Sequence, residues 1–164
     1  SARAIADHPR NVPDEVLQMV PRNGGIVMAN FYPGFVVPES ARRMQELSEL
    51  TRKLSEEYPD PEQRKKARNR WLAQNPLLPG TVHDVVDHID HLVRVAEIDH
   101  VGLGSDFDGI TTVPGQLEDV STYPVITQVL LDRGYTEREI HKIMSENVLR
   151  VLEQCEKVAG KLRE

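Results

Sequence analysis

Cysteine is almost absent. The single Cys155 excludes an internal disulfide framework and any Cys-based zinc cluster. Long apolar runs are absent too: no stretch approaches the ~18 residues of a membrane span, and the opening SARAIADHPRN lacks the apolar segment of a signal peptide. There is no G-x-S-x-G elbow, no P-loop and no H-E-x-x-H. Positive charge is in the minority: 20 basic against 26 acidic side chains leave a net charge of −6, the wrong sign for a protein held to nucleic acid by phosphate neutralisation. What is present, 39% hydrophobic and 28% charged residues over 164 positions, fits a soluble globular protein of about one domain. The first residue is Ser rather than Met, as processing, tag removal or a fragment would each leave it.

The patterning alternates helix, strand, helix, strand, helix. Pro13-Asp14-Glu15 opens a short helix through EVLQMV, which Asn23-Gly24-Gly25 ends. GIVMANF reads as a buried strand covered on both faces, because its apolar residues do not alternate. FYPGFVVP reads as a loop. A charged helix from Pro38 to about Tyr58 comes next, then a basic helix capped by Asp60 and running to about Gln74. Residues 38–80 therefore read as a mainly helical insertion. Its cluster of Arg64, Lys65, Lys66, Arg68 and Arg70 is expected to be a solvated face opposite nearby acids rather than a site for an anionic partner.

Thr81 and Asp84 make a capping signal for a helix whose apolar face is Val82, Val85, Val86, Ile89, Leu92, Val93 and Ala96. HVGLGSD is a second buried strand. A helix near 123–133 and two helical stretches, EIHKIM and ENVLRVLEQCEKV, complete the chain. Strands bounded by such helices argue for βα units with a parallel sheet, yet two strands are too few for a self-sufficient α/β domain.

Chemistry concentrates in VGLGSDFDGI. Its strand ends in Asp106 and Asp108, among Gly102, Gly104 and Gly109. Strand C-termini form the ligand-facing rim of parallel α/β folds, and acids there suit metal binding, amine recognition or proton transfer. The structural alternative is a turn in which Asp106 caps backbone N–H groups. Arg10, in a loop, could hold a carboxylate in a bidentate fork, and Tyr32, just after the first strand, is a rim or packing residue. His83, His88 and His91 suggest a metal at first, but Asp84–His88 and Asp87–His91 are i, i+4 pairs that exposed ion pairing would explain. His141 is expected at the surface and Cys155 in the core.

The blocks SARAIADHPRNVPDEVL, GGIVMANFYPGF, DHIDHLVRVAEIDHVGLGSDFDGI and LEDVSTYPVITQVLLDRGYTEREIHKIMSENVLRVL, in this order, closely resemble the membrane (renal-type) dipeptidase family. That resemblance implies an α/β fold, the C-terminal part of a TIM-type (β/α)8 barrel, with 1–164 a partial metallodipeptidase domain holding the last two strands and flanking helices. It implies two zinc ions, held by an H-x-D pair, a bridging Glu and two histidines, all upstream of Ser1, so that this chain contributes no metal ligand. Arg10 matches the family's arginine for the substrate's terminal carboxylate. Asp106 matches the acid that meets the substrate amine and assists near the scissile bond, which makes it the catalytic candidate here; Tyr32 is a further substrate-binding candidate. Phe35 stands where some relatives carry a tyrosine.

These readings imply a zinc-dependent hydrolase of dipeptides with free termini. The isolated chain is expected to be inactive and marginally folded, since a (β/α)8 barrel typically needs ~250 residues and open strands leave apolar surface exposed. The expected partners are a dipeptide and the missing N-terminal barrel segment or another chain; a homodimer is compatible, while nucleic acid and membrane contact are not expected. A soluble cytoplasmic or periplasmic setting fits, the cytoplasm before the periplasm. Two competing readings are a non-catalytic binding or assembly module, and a phosphatase of the D-x-D-G type suggested by DFDGIT.

Overall fold

The helix with the strongest apolar periodicity organises the chain. In the computed structural model, which describes residues 1–163, the first elements are α1 (Asp14–Leu17), α2 (Val20–Asn23), β1 (Val27–Asn30), α3 (Pro33–Val36), α4 (Pro38–Glu57) and α5 (Pro61–Gln74). Then come α6 (Val82–Ala96), β2 (Val101–Ser105), α7 (Tyr123–Asp132), α8 (Glu137–His141) and α9 (Asn147–Lys161). Thr81 and Asp84 form the expected capping box on α6, with Asp84 Oδ2 accepting the Thr81 N–H at 2.7 Å. Behind it Val82, Val85, Val86, Ile89, Leu92 and Ala96 are all fully buried. Each such side chain contributes about 1.5–3 kcal/mol by leaving water. This face packs on β1, β2 and α7.

β1 and β2 pair in parallel, with Val27 opposite Val101 and Ala29 opposite Leu103. Asn30 then pairs with Ser105, so Gly104 is an extra residue in β2. A bulge of this kind bends a strand and re-aims the side chains beyond it. The 3₁₀ turn Ile98–His100 leads into β2, and Asn147 secures that entry. Its buried amide donates to the carbonyls of Ile98 (2.7 Å) and Val101 (2.8 Å).

Several sequence expectations shift. The first helix breaks into α1 and α2, and Gly24, at φ 69°, closes α2 in the left-handed conformation that glycine adopts without a Cβ penalty. FYPGFVVP contains a full helical turn, α3, with Pro33 at its first position. β1 is not covered on both faces: α6 lies against one side, while Met28 on the other is 36% exposed. The two terminal helical stretches are joined by a π-helical turn, Lys142–Glu146, into one continuous run. Cys155 is exposed rather than in the core, because every described residue of α9 from Leu152 onward is exposed. No helix among the described residues is long and apolar enough to cross a membrane.

Candidate functional site

The C-terminal ends of β1 and β2 lie side by side, and the backbone there is bent to serve the side chains. Ser105 (φ 47°) and Asp106 (φ 110°) both occupy the region that favours glycine. Such conformations cost of order 1–3 kcal/mol each and persist only where the surroundings hold them. Here the Phe31 N–H donates to the Ser105 carbonyl at 2.8 Å. Phe107 packs edge-on against the buried Phe31 at 5.7 Å. The bend turns the half-buried Asp106 toward β1, where Asn30 Nδ2 donates to Asp106 Oδ2 at 3.1 Å. The Asp106 side chain is therefore held by its neighbour strand, while Gly109 N–H donates to the Asp106 main-chain carbonyl at 2.9 Å. Asp108 is exposed on the same turn.

Asn30 connects the acid to the rest of the rim. Its Oδ1 accepts the Tyr32 N–H at 2.7 Å, fixing the start of α3. The Tyr32 ring meets Phe35 edge-on at 5.1 Å, and its hydroxyl lies 3.3 Å from Met44 Sδ. Burial raises the Tyr32 pKa, so the phenol keeps its proton at neutral pH.

Arg10 stands over the Phe35 ring, its Cζ 4.7 Å from the centroid, in cation–π geometry. Its loop is tied down at both ends. Ala2 bridges Val12 in parallel, and Arg3 Nη2 donates to the Pro9 carbonyl at 2.8 Å. The buried Asn11 amide donates to the carbonyls of Ala6 and Phe35, both at 2.8 Å. The His8 ring meets Phe35 at a tilt of 59° with centroids 4.9 Å apart, and its Nδ1 accepts the Arg10 N–H at 3.2 Å. Burial and then the nearby Arg10 and Arg3 charges lower the His8 pKa, favouring the neutral ring this bond needs. Arg10, Tyr32 and Phe35 share a cavity of about 480 Å³ with Met44 and Ser48 of α4. Asp106 lines a separate cavity of about 550 Å³ with Phe107, Asp108 and Asp119.

A sequence model of the membrane dipeptidases (peptidase family M19) matches residues 1–164. The chain belongs to this family. An uncharacterized dipeptidase of Schizosaccharomyces pombe is 37% identical over 165 residues, covering 100% of this chain and 31% of the relative. Among solved structures, the probable dipeptidase PvdM of Pseudomonas aeruginosa superposes with a TM-score of 0.72 at 29% identity, over 92% of this chain and 42% of that one. A metallo peptidase of Rhodobacter sphaeroides, liganded with a phosphinate mimic of the dipeptide L-Ala-D-Ala, gives a TM-score of 0.66 at 26% identity, over 93% and 33%. This member of the membrane dipeptidases thus spans about a third of its relatives' length. It is part of a TIM-type α/β barrel, and the family is one of metallopeptidases acting on dipeptides.

The residues present do not fit the family's metal. Among the described residues no group of three or more His, Cys, Asp or Glu side chains could hold an ion. The histidines of DHIDH are committed elsewhere, and not as the exposed ion pairs expected from i, i+4 spacing. His88 and His91 are both buried, since three and four residues separate His88 from Val85 and Leu92 on the core face of α6. His88 Nδ1 accepts the Ala2 N–H at 3.0 Å and its Nε2 lies 3.1 Å from the Val36 carbonyl. His91 Nε2 contacts Asp14 Oδ1 at 2.7 Å. Asp87 instead takes Arg133 at 2.6 Å, and Asp90 takes Arg133 and the Tyr135 hydroxyl. Asn30 and Asn11, which position Asp106 and Arg10, were missed by sequence reasoning. The available signal was a polar amide at the end of an apolar strand, and another beside a rim arginine.

Proposed function

We propose that this chain carries the substrate-recognition side of a zinc-dependent dipeptidase site, acting on dipeptides with free termini. Arg10 binds the terminal carboxylate of the substrate, Tyr32 flanks it, and Asp106 receives the free amine and acts as the catalytic acid–base group near the scissile bond. The observation that carries this reading is the continuous rim from Asp106 through Asn30 and Tyr32 to Phe35 and Arg10. It sets an anion and a cation apart on one edge, the complement of a zwitterion. Arg10 supplies a planar donor fork matched to a carboxylate, and Asp106, fixed by Asn30, needs no reorganisation to meet an ammonium.

The two zinc ions of this reading belong to residues outside the chain, which lie in an upstream barrel segment or a second polypeptide, and residues 38–80 are a helical insertion above the rim. The isolated chain is therefore inactive. A specific observation favours an assembly role for it taken alone: α9 exposes Leu149 and Leu152, three residues apart on one face and each more than half accessible, as a patch that a missing segment would cover. Purified chain, zinc and a dipeptide give no hydrolysis on this reading, whereas the full-length enzyme cleaves the dipeptide and discriminates against its C-terminal amide. Turnover by the isolated chain, or equal kcat/KM on the free and amidated substrates in the full-length enzyme, overturns it.

A further inference from the structure

The cations of the basic helix α5 lie on a largely exposed face, as its sequence suggests, but they are not paired with acids. Of the five acids of α4, three are taken by its own arginines, Arg42 pairing with Glu39 and Glu46 and Arg52 with Glu56, and the other two, Glu49 and Glu57, make no ion pair with α5. Among the described residues, no ion pair reaches Arg64, Lys65, Lys66, Arg68 or Arg70. Three of these cations, Arg64, Lys65 and Arg68, line a groove of about 400 Å³ between α4 and α5, whose opposite wall includes Thr51 and Ser55.

The groove adjoins the Arg10 cavity. Met44, Ser48, Thr51 and Ser55 succeed one another at spacings of four, three and four residues, so they share one face of α4. Met44 and Ser48 line the Arg10 cavity, and Thr51 and Ser55 line the basic groove. The rise from Met44 to Thr51 is about 10 Å, at ~1.5 Å per residue. That is about one Debye length at 0.1 M salt, so the cations of the groove are felt at the cavity. Arg68 reaches Tyr32 electrostatically, opposing the upward push of burial on its phenol. Across both linings stand four cations, Arg10, Arg64, Lys65 and Arg68, and one acid, Glu49.

From this continuity we infer that the α4–α5 groove makes the enzyme select dipeptides with a carboxylate on the side chain of the C-terminal residue. This rests on the dipeptidase reading above. A neutral dipeptide is a zwitterion with no net charge, whereas an acidic one approaches as a net anion, which a cationic rim concentrates and orients. With the terminal carboxylate on Arg10, the second carboxylate lies beside the Ser48–Thr51 face of α4 and under the field of Arg68.

The test is steady-state kinetics of the full-length enzyme on Gly-Asp against Gly-Asn and Gly-Glu against Gly-Gln, pairs of nearly equal shape that differ in charge. Expected is a three- to tenfold preference in kcat/KM for the acidic member at about 20 mM salt, shrinking toward one at about 0.5 M as screening sets in. R64Q/K65Q/R68Q brings the ratio to about one at low salt, while R64K/R68K retains it. A wild-type ratio at or below one, or a preference indifferent to salt, overturns the inference even if the triple variant fails to fold. Cleavage of Gly-Asn and Gly-Asp at equal rates removes this inference alone; no cleavage of any of the four removes the dipeptidase reading with it.

Discussion

Asn30 closes β1 with its side-chain Nδ2 donating to Asp106 Oδ2, 3.1 Å away, while its Oδ1 accepts the Tyr32 N–H at 2.7 Å. One side chain thus sets both the acid at the end of β2 and the turn just after β1. A hydrogen bond to a charged group is worth about 1.5–3 kcal/mol. Asn30→Ala in the full-length enzyme is therefore expected to lower kcat/KM by about 10- to 150-fold, at about 1.4 kcal/mol per decade. Asn30→Asp lowers it further by setting a second carboxylate against Asp106. Retained activity in Asn30→Ala would show that the amide does not position the acid.

Gly109 makes a sharper test of the same acid. A Cβ placed there would lie 2.3 Å from Asp106 Oδ1 and 3.7 Å from the Asp106 carbonyl. The obstacle is the end of a movable side chain, so the backbone can stay and the carboxylate must leave its place. Gly109→Ala is expected to remove at least about tenfold of kcat/KM, since misplacement of reacting groups by an ångström costs up to about 100-fold. The unfolding midpoint in urea should stay near that of the unsubstituted enzyme. A large loss of stability with unchanged kcat per folded molecule would place the role of Gly109 in folding.

The elements that the sequence made legible are those built from local rules. The α6 capping box, its apolar face and the α5 cap at Asp60 come from residues within four positions of each other. What escaped depends on contacts far along the chain. The spacing of His88 from Asp84 matches a surface ion pair as well as it matches a core position, and only the arrival of Ala2 and Val36 decides between them. Cys155 looks like a core residue because the helix pattern continues, although no described residue of α9 from Leu152 onward is buried. Arg10 and Asp106 were visible as candidates; their connection through Asn30 required the register of a parallel pair whose strands are separated by four helices, α3 to α6.

Arg10 is carried by an aromatic platform. Its guanidinium stands 4.7 Å above Phe35, a contact worth about 0.5–1 kcal/mol where solvent reaches it. Phe35→Leu should keep the side chain apolar yet remove the π face, raising KM for a free dipeptide about two- to fivefold on that energy and leaving kcat nearly constant. Arg10→Ala should raise KM far more, and only for substrates with a free C-terminal carboxylate. An Arg10→Ala enzyme with unaltered KM on such substrates would assign carboxylate binding to another residue.

His88 ties the segment before Arg10 to the turn after Tyr32, and it does so as a neutral ring. Its Nδ1 accepts the Ala2 N–H, which a protonated imidazole cannot do, and burial pushes its pKa down to about 4 from an ordinary 6.5. The unfolded chain binds a proton near pH 6.5 and the folded chain does not until about pH 4. Stability is therefore fully present above pH 6.5, falls as the pH drops through that window, and has lost this contribution below about 4. The difference is on the order of 3 kcal/mol, at about 1.4 kcal/mol per unit. Denaturation of the full-length enzyme in urea at pH 7.5, 6, 5 and 4 should show that decline. His88→Gln, whose amide can accept from Ala2 and donate to Val36, should be less stable at pH 7.5 and should flatten the slope between pH 6.5 and 4. An unaltered slope in His88→Gln would mean that other groups, and not this ring, carry the acid sensitivity.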